Sequence, residues 1–81
     1  MSSAFEKALE DVKSLSEKPA NDVLLKLYAL YKQATEGDVS GDKPGMFDFK
    51  AMAKYNAWTA QKGKTAQQAE TEYIAVVNSL L

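Results

Sequence analysis

The chain of 81 residues contains no cysteine and no histidine. Without cysteine there is no disulfide, no thiol nucleophile and no thiolate metal site. Without histidine the commonest general base and the commonest transition-metal ligand are both missing. A metal site and a catalytic function are therefore not expected, because catalysis would need a Ser-Lys pair or carboxylates and no such pair is placed by helical spacing. Arginine is absent as well, so all ten basic residues are lysines. The longest aliphatic stretch near the end, Ile74-Ala75-Val76-Val77, is far too short to span a bilayer. The segment from Met1 to Val12 carries Glu6, Lys7, Glu10 and Asp11 and lacks the apolar core of an export signal. A cytoplasmic address and a monomeric state are the expectation.

Net charge is −1, which does not favour nucleic acid as a partner. Charge is nevertheless uneven. Between Lys32 and Lys64 there are six lysines (32, 43, 50, 54, 62, 64) against four acids (Glu36, Asp38, Asp42, Asp48). A local excess of this kind attracts a small polyanion without making the protein a nucleic-acid binder.

Four helical segments follow from periodicity and punctuation, so the fold class is all-α, in one domain over residues 1–81. The first starts at Ser3, with Glu6 three residues on as a capping box, and carries Phe5, Ala8, Leu9, Val12 and Leu15 at helical spacing until Lys18-Pro19 ends it. The second starts near Asn21 or Asp22, places Leu24, Leu27, Tyr28, Tyr31 and Ala34 on one face, and stops at Gly37. Val23, Leu25 and Leu30 widen its apolar surface, which predicts contact on more than one side. The third runs from an Asp48 cap to Lys62, with Gly63 as its stop. It carries Ala51, Met52, Tyr55 and Trp58 on one face and Ala53, Ala57 and Ala60 on a flatter one. The fourth starts at a Thr65–Gln68 capping box, with Ala66, Ala69, Tyr73, Val76, Val77 and Leu80 as its inner face. Between the second and third helices lie Gly37-Asp38, Ser40-Gly41-Asp42 and Pro44-Gly45. Pro-Gly here suits a type II turn. A loop this long gives the chain room to cross the bundle and set two successive helices parallel.

Tyr28, Tyr31 and Lys32 stand at i, i+3 and i+4, so they cluster on one helical face. Phenols and an ammonium on one patch suit a ligand that is both aromatic and anionic. Spacing alone favours the plainer reading, two core tyrosines with wet hydroxyls and a solvated lysine at their rim. Lys54 lies one turn from Trp58 and beside Tyr55, where a snorkelling lysine is the ordinary reading. Tyr73 reads first as core, and Lys13 and Lys50 as surface charges. A helical module taking a partner peptide would use the same apolar surface without the lysine pair. A membrane-surface domain would concentrate lysine on its polar faces rather than mix it with acids.

The wider series decides among these. Pro19-Ala20, Leu24, Leu27-Tyr28-Ala29, Tyr31-Lys32-Gln33-Ala34-Thr35 and Gly37-Asp38 closely resemble the defining stretch of the acyl-CoA-binding protein family. The likeness continues through Pro44-Gly45, Asp48-Phe49, Lys54, Ala57-Trp58, Lys62-Gly63, Ala69 and Tyr73-Ile74, and it begins at Phe5. Lys43 and Tyr55 depart from it, standing where arginine and tryptophan are frequent in the family. The resemblance implies a skewed up-down-down-up four-helix bundle that binds long-chain fatty acyl-CoA as carrier and pool former, with no cofactor. By the same likeness Tyr28, Tyr31 and Lys32 would line the coenzyme A headgroup site. Lys54 would join Lys32 near the 3′-phosphate, Tyr73 would meet the nucleotide end, and Lys13 and Lys50 would contribute secondarily. Phe5, Leu9 and Leu25 would border the acyl groove. Transient contact with acyl-CoA-using enzymes and membrane surfaces is the remaining expectation.

Overall fold

The computed structural model describes residues 2–81. Its helices are α1 (Ser3–Lys13), α2 (Asn21–Glu36), α3 (Phe49–Thr59) and α4 (Ala66–Leu80), with no strand among the described residues. No helix among them is long and apolar enough to cross a membrane.

Most helix ends follow from local chemistry. The Thr65 hydroxyl accepts the Gln68 N–H at 3.1 Å, and the Gln68 side chain accepts the Thr65 N–H at 2.9 Å, which closes the expected capping box. Asp48 caps α3 by accepting the Ala51 N–H at 3.2 Å. Gly37 ends α2 at φ 84° and ψ −153°, a backbone region open essentially to glycine alone.

Other ends differ from the sequence reading. The cap of α1 is Ser2, not Ser3, and its hydroxyl accepts the Phe5 N–H at 3.1 Å. Two adjacent serines offer the same chemistry, and the helix uses the earlier one. α1 stops at Lys13 rather than at Lys18, where the Ser14 N–H and hydroxyl both turn back to the Asp11 carbonyl. Leu15 therefore lies outside the helix. α3 gives way after Thr59 to tighter turns, in which Gln61 N–H donates to Trp58 and Lys62 N–H to Thr59. Those turns reach Gly63, at φ 95°. Gly45 has no positive φ, so Pro44-Gly45 does not form the centre of a type II turn. The turn lies one step later, closed by Asp48 N–H to the Gly45 carbonyl at 3.0 Å. Ala66 is exposed rather than on the inner face of α4.

Contacts fix the helix directions. Ser2 meets Glu70 and Phe5 meets Tyr73, while Leu15 and Leu80 share a crevice at the far end. Residues rise together along both elements, so α1 and α4 are parallel. Gln33 donates to the Lys64 carbonyl just before α4, whereas Ala20, before α2, lies near Leu80 at the end of α4. Those two helices are therefore antiparallel. Leu24 and Leu25 face Lys50 and Ala53, Tyr28 faces Lys54, and Gly37 meets Trp58, so α2 and α3 are parallel. The result is up-down-down-up.

α1 packs along α4, α4 along α2, and α2 along α3. This side-by-side order gives a slab of 35 × 28 × 14 Å. Phe5, Ala8, Leu27, Leu30, Ala69, Tyr73 and Val77 form the buried core, with Leu9, Val12, Val76 and Leu80 packed against it. The core thus lies between α1, α2 and α4. α3 is joined to the rest through α2, where Trp58 is buried and donates its indole N–H to the Gly37 carbonyl at 2.8 Å.

Candidate functional site

Because α2 and α3 run parallel, successive turns of one face successive turns of the other. Between their first halves lies an open cleft of about 430 Å³, lined by Lys18, Asn21, Leu24, Leu25, Tyr28, Lys50, Ala53 and Lys54. That volume is in the range of small-molecule sites, about 300–1,000 Å³. Its chemistry is divided. Leu24, Leu25 and Ala53 give it an aliphatic floor. Lys18, Lys50 and Lys54 supply its charge, and no carboxylate is among the lining residues. The Lys54 ammonium lies 5.2 Å from the Tyr28 ring centre, a cation–π contact.

One turn further along α2, the Lys32 ammonium sits 4.9 Å from the Trp58 ring centre and pairs with the Glu36 carboxylate. The Glu36 hydrogen bond is the main reason that the Lys32 pKa is raised, and desolvation only partly opposes it. Lys32 is therefore a secure cation whose present partner is an exposed carboxylate of its own helix. Tyr31 is 38% exposed, and its ring stacks on Phe5 at 6.3 Å between centroids. Tyr73 is buried and meets Phe5 edge-on at 5.2 Å. Burial first, and then its neighbour Tyr31, push the Tyr73 phenol pKa up, so the ring stays neutral.

The residues singled out from the sequence thus fall into three groups. Tyr28, Lys50, Lys54 and Leu25 line the cleft together. Tyr31, Lys32 and Tyr73 cluster around the C-terminal half of α2, joined through Phe5 and Trp58. Lys13 lies at the end of α1, exposed, with Glu10 at 3.7 Å as its ion-pair partner. Phe5 and Leu9 do not line the cleft: Phe5 is fully buried and Leu9 packs against the core. Their positions are set by α1 lying against α4 rather than beside α3.

Four features were not read from the sequence. Lys18 and Asn21 join the cleft from the segment leading into α2. Glu36 holds Lys32, a pairing that i,i+4 spacing would have revealed. Gln33 is the buried polar residue among the described residues, donating to Asp38 at 2.8 Å and to the Lys64 carbonyl at 2.9 Å. Asp38 also accepts the Gly63 N–H at 2.8 Å. The Gly63 bond and then Gln33 hold the Asp38 carboxyl below its ordinary range. These bonds fasten the chain after α2 to the turn before α4, and so fix the end of α2 that carries Lys32.

Known proteins share this sequence pattern and fold. A family model described as "Acyl CoA binding protein" matches residues 2–77. The chain is 49% identical to the acyl-CoA-binding protein homolog 1 of Caenorhabditis elegans, over 100% of this chain and 94% of that one. It is 49% identical to the acyl-CoA-binding protein of Saccharomyces cerevisiae, over 100% and 93% of the two chains. The crystal structure of acyl-CoA-binding protein 2 from Oryza sativa superposes with a TM-score of 0.89 at 42% identity, covering 95% of this chain and 86% of that one. Its counterpart from Moniliophthora perniciosa gives 0.90 at 38% identity, covering 99% and 80%. Matched along nearly its whole length in sequence and in helix arrangement, the chain belongs to the acyl-CoA-binding protein family.

Proposed function

We propose that this protein binds long-chain fatty acyl-CoA and carries it as an intracellular pool, without catalysing a reaction. One observation carries the reading: an aliphatic floor of Leu24, Leu25 and Ala53 adjoins a rim charged by lysines alone. Such a cleft matches an amphiphile with a greasy tail and a polyanionic head. The names of the relatives in worm and yeast point to the same ligand class.

The physics of each half differs. Burying a methylene contributes about 0.8 kcal/mol, so most of a palmitoyl tail contributes on the order of 10 kcal/mol before ordering costs. The tail therefore supplies most of the affinity. The head supplies selectivity. Lys32 and Lys54 pair with phosphates as point charges. Tyr28 and Tyr31 offer ring faces to the adenine and hydroxyls to phosphate oxygens. Tyr73 closes the nucleotide end from α4, while Lys13 and Lys50 add to the surrounding positive potential. Phosphate reaches Lys32 by replacing Glu36, so part of the headgroup energy is spent on opening that pair. A free fatty acid brings no phosphate and leaves the lysines unused.

The expected affinity order is long-chain acyl-CoA, then short-chain acyl-CoA or free coenzyme A, then free fatty acid. Titration calorimetry with palmitoyl-CoA, coenzyme A and palmitate tests it. Equal affinity for palmitate and palmitoyl-CoA would refute the headgroup site.

A further inference from the structure

The cleft carries cations at both of its ends, although a ligand with one polyanionic head needs them at only one. Because α2 and α3 are parallel, position along α2 measures depth in the cleft. Tyr28 and Lys54 face each other, and Lys32 with Trp58 lies one turn beyond them. That end suits the phosphates. The opposite end is bounded by Lys18 and Asn21, where the chain enters α2, and by Lys50 in the first turn of α3. Leu24, Leu25 and Ala53 lie between the two ends. A tail held by its head therefore runs along the aliphatic floor and finishes beside two ammonium groups and an amide.

The protein itself does not occupy these cations. Neither Lys18 nor Lys50 is in an ion pair among the described residues. The nearby acids are turned elsewhere. Asp22 accepts the Val23 N–H at 2.9 Å, Asp48 caps α3 at Ala51, and Glu17 lines the adjoining crevice of Leu15 and Leu80. Their charges moderate the local field, but none of the three lines the cleft.

We propose that this far end receives a carboxylate at the end of the acyl chain, so that the protein takes medium-chain dicarboxylyl-CoA as well as plain acyl-CoA. The proposal rests on the acyl-CoA reading above and names a ligand class for one end of the same cleft. Chain length follows from the helix. The span of α2 from Asn21 to Tyr28 rises about 10 Å. An extended alkyl chain advances about 1.3 Å per carbon, so about eight to ten carbons bring the last one level with Lys18 and Asn21. A palmitoyl chain overruns that point, and its methyl end needs no cation. At a purely aliphatic end, a terminal carboxylate would shed water without compensation and affinity would fall steeply. Here the Lys18 and Lys50 ammonium groups pair with it, the Asn21 amide donates to it, and the open cleft leaves it partly hydrated. A phosphate of the head is the poorer occupant, because the aliphatic floor separates these cations from Tyr28 and Lys32.

The test uses the full chain and calorimetry with decanoyl-CoA, the mono-CoA thioester of decanedioic acid, and free coenzyme A. Wild type should bind the diacid ester at least as tightly as decanoyl-CoA. Lys18→Met should weaken the diacid ester about three- to ten-fold relative to decanoyl-CoA, as expected for one exposed charge pair with its hydrogen bond. Lys18→Glu should widen that gap, and Lys18→Arg should restore the wild-type ratio. Lys18 is exposed, so these variants keep the fold. The effect of Lys18→Met should shrink at about 0.5 M salt. Wild type binding the diacid ester more than about ten-fold weaker than decanoyl-CoA, or Lys18→Met leaving the ratio of the two esters unchanged, overturns the proposal. An equal loss for free coenzyme A overturns it too, because a head phosphate would then lie at Lys18. A wild type that fails to bind palmitoyl-CoA overturns the functional reading instead.

Discussion

Replacing Glu36 by glutamine removes the carboxylate that occupies Lys32 in the ligand-free protein. The lysine side chain is 22% exposed and the glutamate 51%, so the pair lies in high dielectric. Pairs of this kind at i,i+4 contribute about 0.3–0.5 kcal/mol. A phosphate that takes the place of the carboxylate also comes close to its charge. At about 4 Å in water that repulsion is about 1 kcal/mol. Together the two effects make about 1.4 kcal/mol, which is about a ten-fold change in affinity. Free coenzyme A is the better probe, because no tail energy obscures the change. Calorimetry at about 0.02 M salt should give about ten-fold tighter binding by Glu36→Gln, and the gain should shrink markedly at about 0.5 M salt. The loss of a fraction of a kcal/mol should lower the melting temperature by only about 2–4 °C. Unchanged or weaker binding would refute the reasoning. It would show that Glu36 holds Lys32 in its binding pose rather than competing for it.

Lys32→Ala should weaken palmitoyl-CoA by about 1.5–3 kcal/mol, the worth of a hydrogen bond to a charged group. Calorimetry on a variant with unchanged circular dichroism checks it, and a negligible loss would make Lys32 a mere rim residue. Leu25→Ser should cut affinity for palmitoyl-CoA and leave free coenzyme A unchanged, because Leu25 belongs to the aliphatic floor; an equal loss for both ligands contradicts that division. Asp38 has a lowered pKa owing to Gly63 and Gln33, so its contribution to stability is complete above the unfolded value of 3.8 and is lost as pH falls through the lower folded value. Asp38→Ala should therefore melt earlier than wild type at neutral pH, and the gap should close in melts taken progressively below pH 3.8. A gap independent of pH would assign the effect to something other than the carboxylate.

The parts of this fold that local chemistry decides were legible in the sequence. Thr65 with Gln68, Asp48 before α3 and Gly37 after α2 each act within a few residues, and each does what its residue type dictates. The length of the 37–47 segment left room for two parallel helices, and the family resemblance implied them. What depended on rotation and distant partners was not legible. Spacing places Leu15 inside α1, but the helix has already ended at Lys13. Gln33 reads as an ordinary polar position until Lys64, 31 residues away, closes over it. Ser2 and Ser3 are indistinguishable as caps until the first turn is built. The cleft shows the same split: Tyr28, Lys50 and Lys54 are reached through the family resemblance, but Lys18 enters from outside the helix and carries no periodicity to reveal it.

The side-by-side order of the helices has one more consequence. α3 is fastened along one edge only, to α2, so it is the element whose opening disturbs least of the core. A tail lodged in the seam and a phosphate shared by Lys32 and Lys54 would bolt that edge shut. Under that reading, filled and empty protein would differ chiefly in how taut a single helix is, a tension that limited proteolysis would feel.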